Sequence, residues 1–95
     1  MKNTLIIEEL LNDIMTDGTK EKLIKEIEKY NSKELNEKLS KLLYYKSKIF
    51  MIEMIDYWSS FEKEKYLEYN SLVTQLEKEI VKKVKEIEDK KRIEL

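Results

Sequence analysis

The chain has no cysteine, no histidine, no proline and no alanine, and it holds one glycine (Gly18) and one arginine (Arg92). Each absence excludes something. Without cysteine there are no disulfides and no thiolate metal sites. Without histidine the Ser-His-Asp and Cys-His nucleophile systems are closed, and zinc and haem sites lose their usual ligand. One glycine cannot build a phosphate-cradling loop. The lack of proline leaves long helices uninterrupted. Alanine is the best helix former, so its absence from a lysine-, isoleucine-, asparagine- and tyrosine-rich chain reflects coding in A·T-rich DNA, as in a low-GC bacterium or its phages and plasmids.

What is present is balanced. Of 95 residues, 41% are hydrophobic and 41% charged, which is too apolar for a disordered chain and too charged for a membrane protein. The length allows one domain, residues 1–95, with one modest core. The formal net charge of −1 gives no bulk attraction to nucleic acid or anionic lipid. Glu8 and Glu9 interrupt the apolar run of MKNTLIIEELLNDIM, so this segment reads as a first helix and not a secretion signal, and a cytoplasmic location is expected.

The periodicity is helical almost throughout and predicts an all-α fold: a small antiparallel bundle of three or four helices, one or two of them long, over about 4–16, 20–30, 33–58 and 60–90. Asn3 or Thr4 is the expected first cap. Thr16-Asp17-Gly18 should end the first helix, and Thr19 should cap the second. Leu23, Ile24, Ile27 and Tyr30 form the second helix's stripe. Asn31 with Glu34 has the spacing of a capping box. The next break falls between 58 and 71. Ser59 with Glu62 is preferred as a capping box over Asn70-Ser71. Residues 88–95, EDKKRIEL, are expected to fray.

The last segment carries a seam: Tyr66, Tyr69, Val73, Leu76, Ile80, Val84 and Ile87, with one stutter in the heptad spacing. Such a seam packs on neighbouring helices or on a second copy, so Tyr69, Val73, Leu76, Ile80, Val84 and Ile87 are candidates for a homodimer seam. Glutamate precedes lysine by four residues repeatedly, as in Glu34/Lys38 and Glu79/Lys83, marking solvated helix faces. The carboxylate groups Glu8/Glu9, Glu62/Glu64/Glu68 and Glu77/Glu79 come without the glutamate-x-x-histidine pattern of helical metal sites, so no metal, cofactor or catalytic site is expected. In KKVKEIEDKKR, six basic residues alternate with Glu86, Glu88 and Asp89. A helix-turn-helix over 20–45 would have a recognition helix whose lysines are balanced by Glu34 and Glu37. Neither makes the one-signed face that phosphate binding requires.

Residues 42–61, LLYYKSKIFMIEMIDYWSSF, hold most of the aromatic residues. Lys46, Lys48, Glu53 and Asp56 rule out a membrane span, since each would cost about 2.5–3.5 kcal/mol at the bilayer centre. At about 100° per residue, Lys46, Glu53, Asp56 and Ser60 gather in one sector with Leu42 and Ile49. Leu43, Phe50, Met54, Tyr57 and Phe61 form a second, and Tyr44, Met51, Ile55 and Trp58 a third, with Tyr45 and Ile52 beyond. So wide an apolar arc predicts a central helix covered on two or more sides. Any face left uncovered is a protein-binding surface, because tyrosine, tryptophan and methionine are enriched at interfaces. The candidate residues are Tyr44, Tyr45, Met51, Ile52, Ile55 and Trp58.

The opening EELLNDIM, at the head of a small charge-balanced helical chain, resembles the bacteriocin immunity proteins of the enterocin/pediocin class over about the first 45 residues. The long third segment departs from their pattern. The resemblance implies a small cytosolic bundle that acts by binding a protein. The expected function is therefore non-enzymatic, stoichiometric protein binding. A phage- or mobile-element-encoded inhibitor of a host defence protein is its narrower form; a bacteriocin-immunity-like bundle or a homodimeric structural module is the alternative, and a nucleic-acid binder ranks below both.

Overall fold

A computed structural model describes the backbone of residues 2–14 and 18–94, and the side chains of 5–14 and 18–90. It contains four helices and, among the described residues, no strand: α1 (Lys2–Asn12), α2 (Thr19–Glu28), α3 (Lys33–Glu53) and α4 (Ser60–Glu94). The expected all-α bundle is present, with two short helices and two long ones.

Local chemistry sets each boundary. α1 begins at Lys2, so Asn3 and Thr4 lie inside its first turn and not before it. It ends at Asn12, earlier than expected; Met15, Thr16 and Asp17 lie outside the described residues. Gly18 has φ 82°, a left-handed conformation, and it occupies the cap position of α2 that was assigned to Thr19. Its carbonyl accepts from the amide of Lys22 at 3.2 Å. α2 closes when Asn31 turns left-handed at φ 49°, a conformation asparagine tolerates better than most residues. That role removes Asn31 as a cap. Ser32 caps α3 instead, its hydroxyl accepting from the amide of Leu35 at 3.2 Å.

α3 stops at Glu53, five residues before the expected end. The amides of Met54 and Ile55 turn back onto the carbonyls of Met51 and Ile52 at 3.3 and 3.0 Å. The Trp58 indole folds over this terminus and donates to the carbonyls of Ile52 (2.9 Å) and Ile55 (3.1 Å). A side chain thus satisfies acceptors that a helix end leaves open. α4 starts as the spacing predicts. Glu62 accepts from the amide of Ser59 at 3.3 Å and from its hydroxyl at 2.5 Å. α4 then runs through Asn70-Ser71 without a break and on to Glu94, across the segment expected to fray. At 1.5 Å per residue its 35 residues span about 52 Å, close to the molecule's 55 Å long dimension.

α3 and α4 lie antiparallel, held in register by polar rungs. Tyr30 donates to Glu88 at 2.6 Å just before α3 begins; Lys83 pairs with Glu34 at 3.4 Å; Lys38 pairs with Glu79 at 2.6 Å. Farther along, the Tyr45 and Tyr69 rings stack at 5.6 Å. α1 packs on α2 and α4, and α2 on α3, so neighbours in sequence are neighbours around the bundle. The short helices cover only the end where α3 begins. There Ile7, Leu11, Ile14, Leu23, Ile27, Leu35, Leu39, Leu42, Val73, Leu76, Ile80 and Val84 form one buried cluster.

This arrangement corrects two expectations. The buried residues of α3 are Leu35, Leu39, Leu42, Ile49 and Ile52, a heptad seam. It includes Leu42 and Ile49, which were placed with the polar sector. The seam starts at Leu35, outside the aromatic stretch, and it meets α4 face on; the two aromatic sectors therefore turn outward. α3 is one side of a hairpin at this end and not a central helix. The second correction concerns the α4 seam. Val73, Leu76, Ile80 and Val84 are buried against the chain's own helices, and Tyr69 and Ile87 pack half-buried beside them. That surface is occupied within one chain and is not open to a second copy.

Candidate functional site

Four helices shield the end of the molecule where α3 begins, but only α3 and α4 reach the other. No residue from 60 to 72 is buried, although this stretch contains Phe61, Tyr66, Leu67, Tyr69 and Leu72. Two helices bury one face of each other and leave the remaining circumference in water. Any apolar residue off the shared seam is then exposed.

Phe50 is 48% exposed, Met51 58%, Met54 69%, Tyr57 91%, Phe61 64% and Leu67 71%. Tyr44, Ile55 and Leu72 are exposed as well. Scattered exposed apolar side chains are normal on a protein surface, but here most of the exposed large ones lie at one end. Away from this end, the exposed large apolar residues among those described are Leu5 and Ile6 of α1.

On one flank of the hairpin an open groove of about 420 Å³ is lined by Met51, Ile52, Ile55, Phe61 and Tyr69, with Lys48, Glu62 and Lys65 among them. Lys48 lies 5.3 Å from the centroid of the Tyr44 ring, and Lys65 lies 5.8 Å from that of Phe61. Lys65 also pairs with Glu68 at 3.2 Å, a bond that holds the Lys65 amine above its ordinary pKa. Glu62 is shifted the other way, below the usual carboxylate value, because Ser59 donates to it. The groove thus has an apolar floor and a rim of both signs. Phe50 and Met54, four residues apart at the end of α3, and Leu67 of α4 are exposed outside this groove.

The six candidate residues divide. Tyr44, Met51 and Ile55 are on the surface, as a binding role needs. Ile52 is buried at 8% exposure, and Tyr45 packs against the core and stacks on Tyr69. Trp58 is half-buried: its nitrogen caps α3 and its ring lies 4.7 Å from that of Tyr66. These three build the end of the hairpin and do not offer themselves to a partner. Residue type alone missed Phe50, Met54, Tyr57, Phe61, Leu67 and Leu72. One sector read from the sequence, with Leu43, does contain the first four, but as a face of a helix covered on two or more sides.

Elsewhere, a hollow of about 580 Å³ between α1 and α4 is lined by Lys78, Lys82 and Lys85, facing Glu8 and Glu77. The signs are mixed, as the sequence indicates. Lys91 and Arg92 of the basic tail lie outside the described side chains. Among the described residues no three carboxylates converge to hold a metal ion, and no helix is long and apolar enough to cross a membrane. Comparison with protein-family models, with curated proteins and with solved structures yields no match for this chain.

Proposed function

We propose that this protein is a non-enzymatic docking module that binds another protein stoichiometrically through the uncovered end of its α3–α4 hairpin. The observation that carries this reading is the placement of Phe50, Met51, Met54, Tyr57 and Phe61, all about half exposed or more, on the two-helix end. Burying such side chains contributes about 1.5–3 kcal/mol each when complete, so a partner covering four or five has a substantial driving force. The stacked Tyr45 and Tyr69 rings and the Trp58 cap set how α3, α4 and the turn between them present these side chains. The absence of histidine and cysteine, and a groove with an apolar floor, favour binding over catalysis. The narrower form, an inhibitor carried by a phage or mobile element and aimed at a host defence protein, rests on size and the A·T-rich coding signal.

A photoreactive amino acid placed at Tyr57 and, as a control, at Glu21 of α2 tests the reading. Crosslinks formed at Tyr57 in one-to-one stoichiometry and abolished by Met51→Lys with Phe61→Lys are the expected result. Equal labelling from both positions would refute it.

A further inference from the structure

The grooved flank of the hairpin end has a pattern that identifies its occupant. Glu34 lies level with Lys83, Lys38 with Glu79 and Tyr45 with Tyr69 across the α3–α4 seam. Carrying this register along the two helices puts Tyr44 level with Leu72 and Lys48 with Glu68; past the end of α3, Ile55 lines the groove together with Phe61. By the 100° spacing Tyr44, Lys48, Glu68 and Leu72 turn toward the grooved flank or its outer edge, and Ile55 and Phe61 line the groove itself. Two of the three pairs match apolar with apolar, and the third matches a base with an acid.

We infer that a second copy of this chain docks on that flank, turned over about a two-fold axis parallel to the helices. Such an axis sets α3 of each copy across from α4 of the other at the same level. Tyr44 then meets Leu72 of the second copy, Ile55 meets Phe61, and the Lys48 ammonium meets the Glu68 carboxylate. Each contact occurs twice by symmetry. Glu68 already holds Lys65 at 3.2 Å, but its side chain is 53% exposed, and a carboxylate accepts from more than one donor. A rim carrying both signs suits a copy of itself better than a partner of one charge. The packing logic agrees, because α1 and α2 complete a four-helix layer at one end, and a second hairpin would complete one at the other.

The available area sets the strength. Tyr44, Met51, Ile55, Phe61 and Leu72 expose on the order of 500 Å² of side chain, so two copies draw on roughly 1,000 Å², the threshold for a specific interface. An interface at that threshold is of the non-obligate kind, so monomer and dimer exchange. This surface is distinct from the α4 seam, which is buried within each chain.

The inference rests on the docking role of this end, and its test separates the two. Sedimentation velocity on the full chain from about 1 to about 200 µM should show a monomer–dimer equilibrium. Lys48→Glu and Glu68→Lys should each weaken dimerisation at least about tenfold, since each places like charges together twice. The double variant Lys48→Glu with Glu68→Lys should return to within about threefold of wild type. Both side chains lie at the surface, and unchanged helicity and unfolding midpoints would confirm that all three variants fold. A monomer throughout the range overturns the inference, as does a dimer indifferent to either charge or a double variant that stays weak. If the monomeric protein still forms the specific Tyr57 crosslink to another protein, the self-docking inference falls and the docking role stands; if it forms none, both fall.

Discussion

Trp58→Phe isolates the bond that ends α3. The variant keeps an aromatic ring near Tyr66 but removes the N–H that donates to Ile52 and Ile55 at 2.9 and 3.1 Å. One shared donor is worth about 1–1.5 kcal/mol, and the two carbonyls it releases are rehydrated. No residue from 60 to 72 is buried, so this end opens without the core, and the loss falls on local opening. The opening equilibrium should rise roughly 5- to 12-fold. Hydrogen exchange resolved to single amides measures it. The Met54, Ile55 and Lys63 amides, bonded to the carbonyls of Met51, Ile52 and Ser59, should lose that much protection. The amides of Leu39 and Ile80, at the four-helix end, should keep theirs. Trp58→Ala also loses the ring contact and should raise opening further, by roughly 100-fold in all. An unchanged Met54 and Ile55 in the Phe variant would refute the capping role. An equal loss at Leu39 and Ile80 would refute the idea that the hairpin end opens independently.

Other expectations follow from the same structure. Ile80→Ala, at a fully buried position, should cost about 2–5 kcal/mol in urea unfolding, whereas Leu67→Ala, 71% exposed, should stay within about 0.5 kcal/mol. Gly18→Ala should cost about 1 kcal/mol, because φ 82° is strained for any side chain even though nothing lies within 4 Å of the added carbon; an unchanged unfolding midpoint would contradict this. The Lys38–Glu79 rung predicts a pH dependence. The Lys38 hydrogen bond lowers the Glu79 pKa, so its contribution is present above the ordinary value of 4.5 and lost as pH falls through the depressed one. The Lys38 pKa is raised, chiefly by the same bond, so its contribution is present below the ordinary value of 10.5 and lost as pH rises through the elevated one. Unfolding midpoints of Glu79→Gln should therefore be flatter than wild type at both extremes, and high salt should shrink the difference.

How much was legible depends on how local the cause is. Ser59 with Glu62 was readable because a capping box closes within one turn. The Leu23/Ile27 stripe was readable because its period is that of the helix. The Asn31 expectation was off by one residue because two local preferences compete there: asparagine's tolerance of φ 49° ends α2, which leaves the capping to Ser32. The end of α3 was not readable, since the Trp58 indole reaches back six residues to Ile52 only after the chain has turned. The exposed apolar face was half readable. Tyr44, Met51 and Ile55 are exposed as a binding face requires, but Tyr45, Ile52 and Trp58 were lost to packing that residue type does not reveal.

The amino-acid sequence by itself determined that this chain is helical, that its chemistry lacks histidine and cysteine, and that it holds more apolar surface than one helix pair can bury. These are properties of composition and of periods under four residues. Only the tertiary structure decided which apolar face is inside. Leu35, Leu39, Leu42 and Ile49 face α4, while Phe50, Met51, Met54 and Phe61 do not, although both sets are equally apolar. The choice is made by the partner seam of Val73, Leu76, Ile80 and Val84, and by α1 and α2, which are long enough to shield only one end of the hairpin. Burial lies between elements, so it follows from their lengths and register and not from the hydrophobicity of either one.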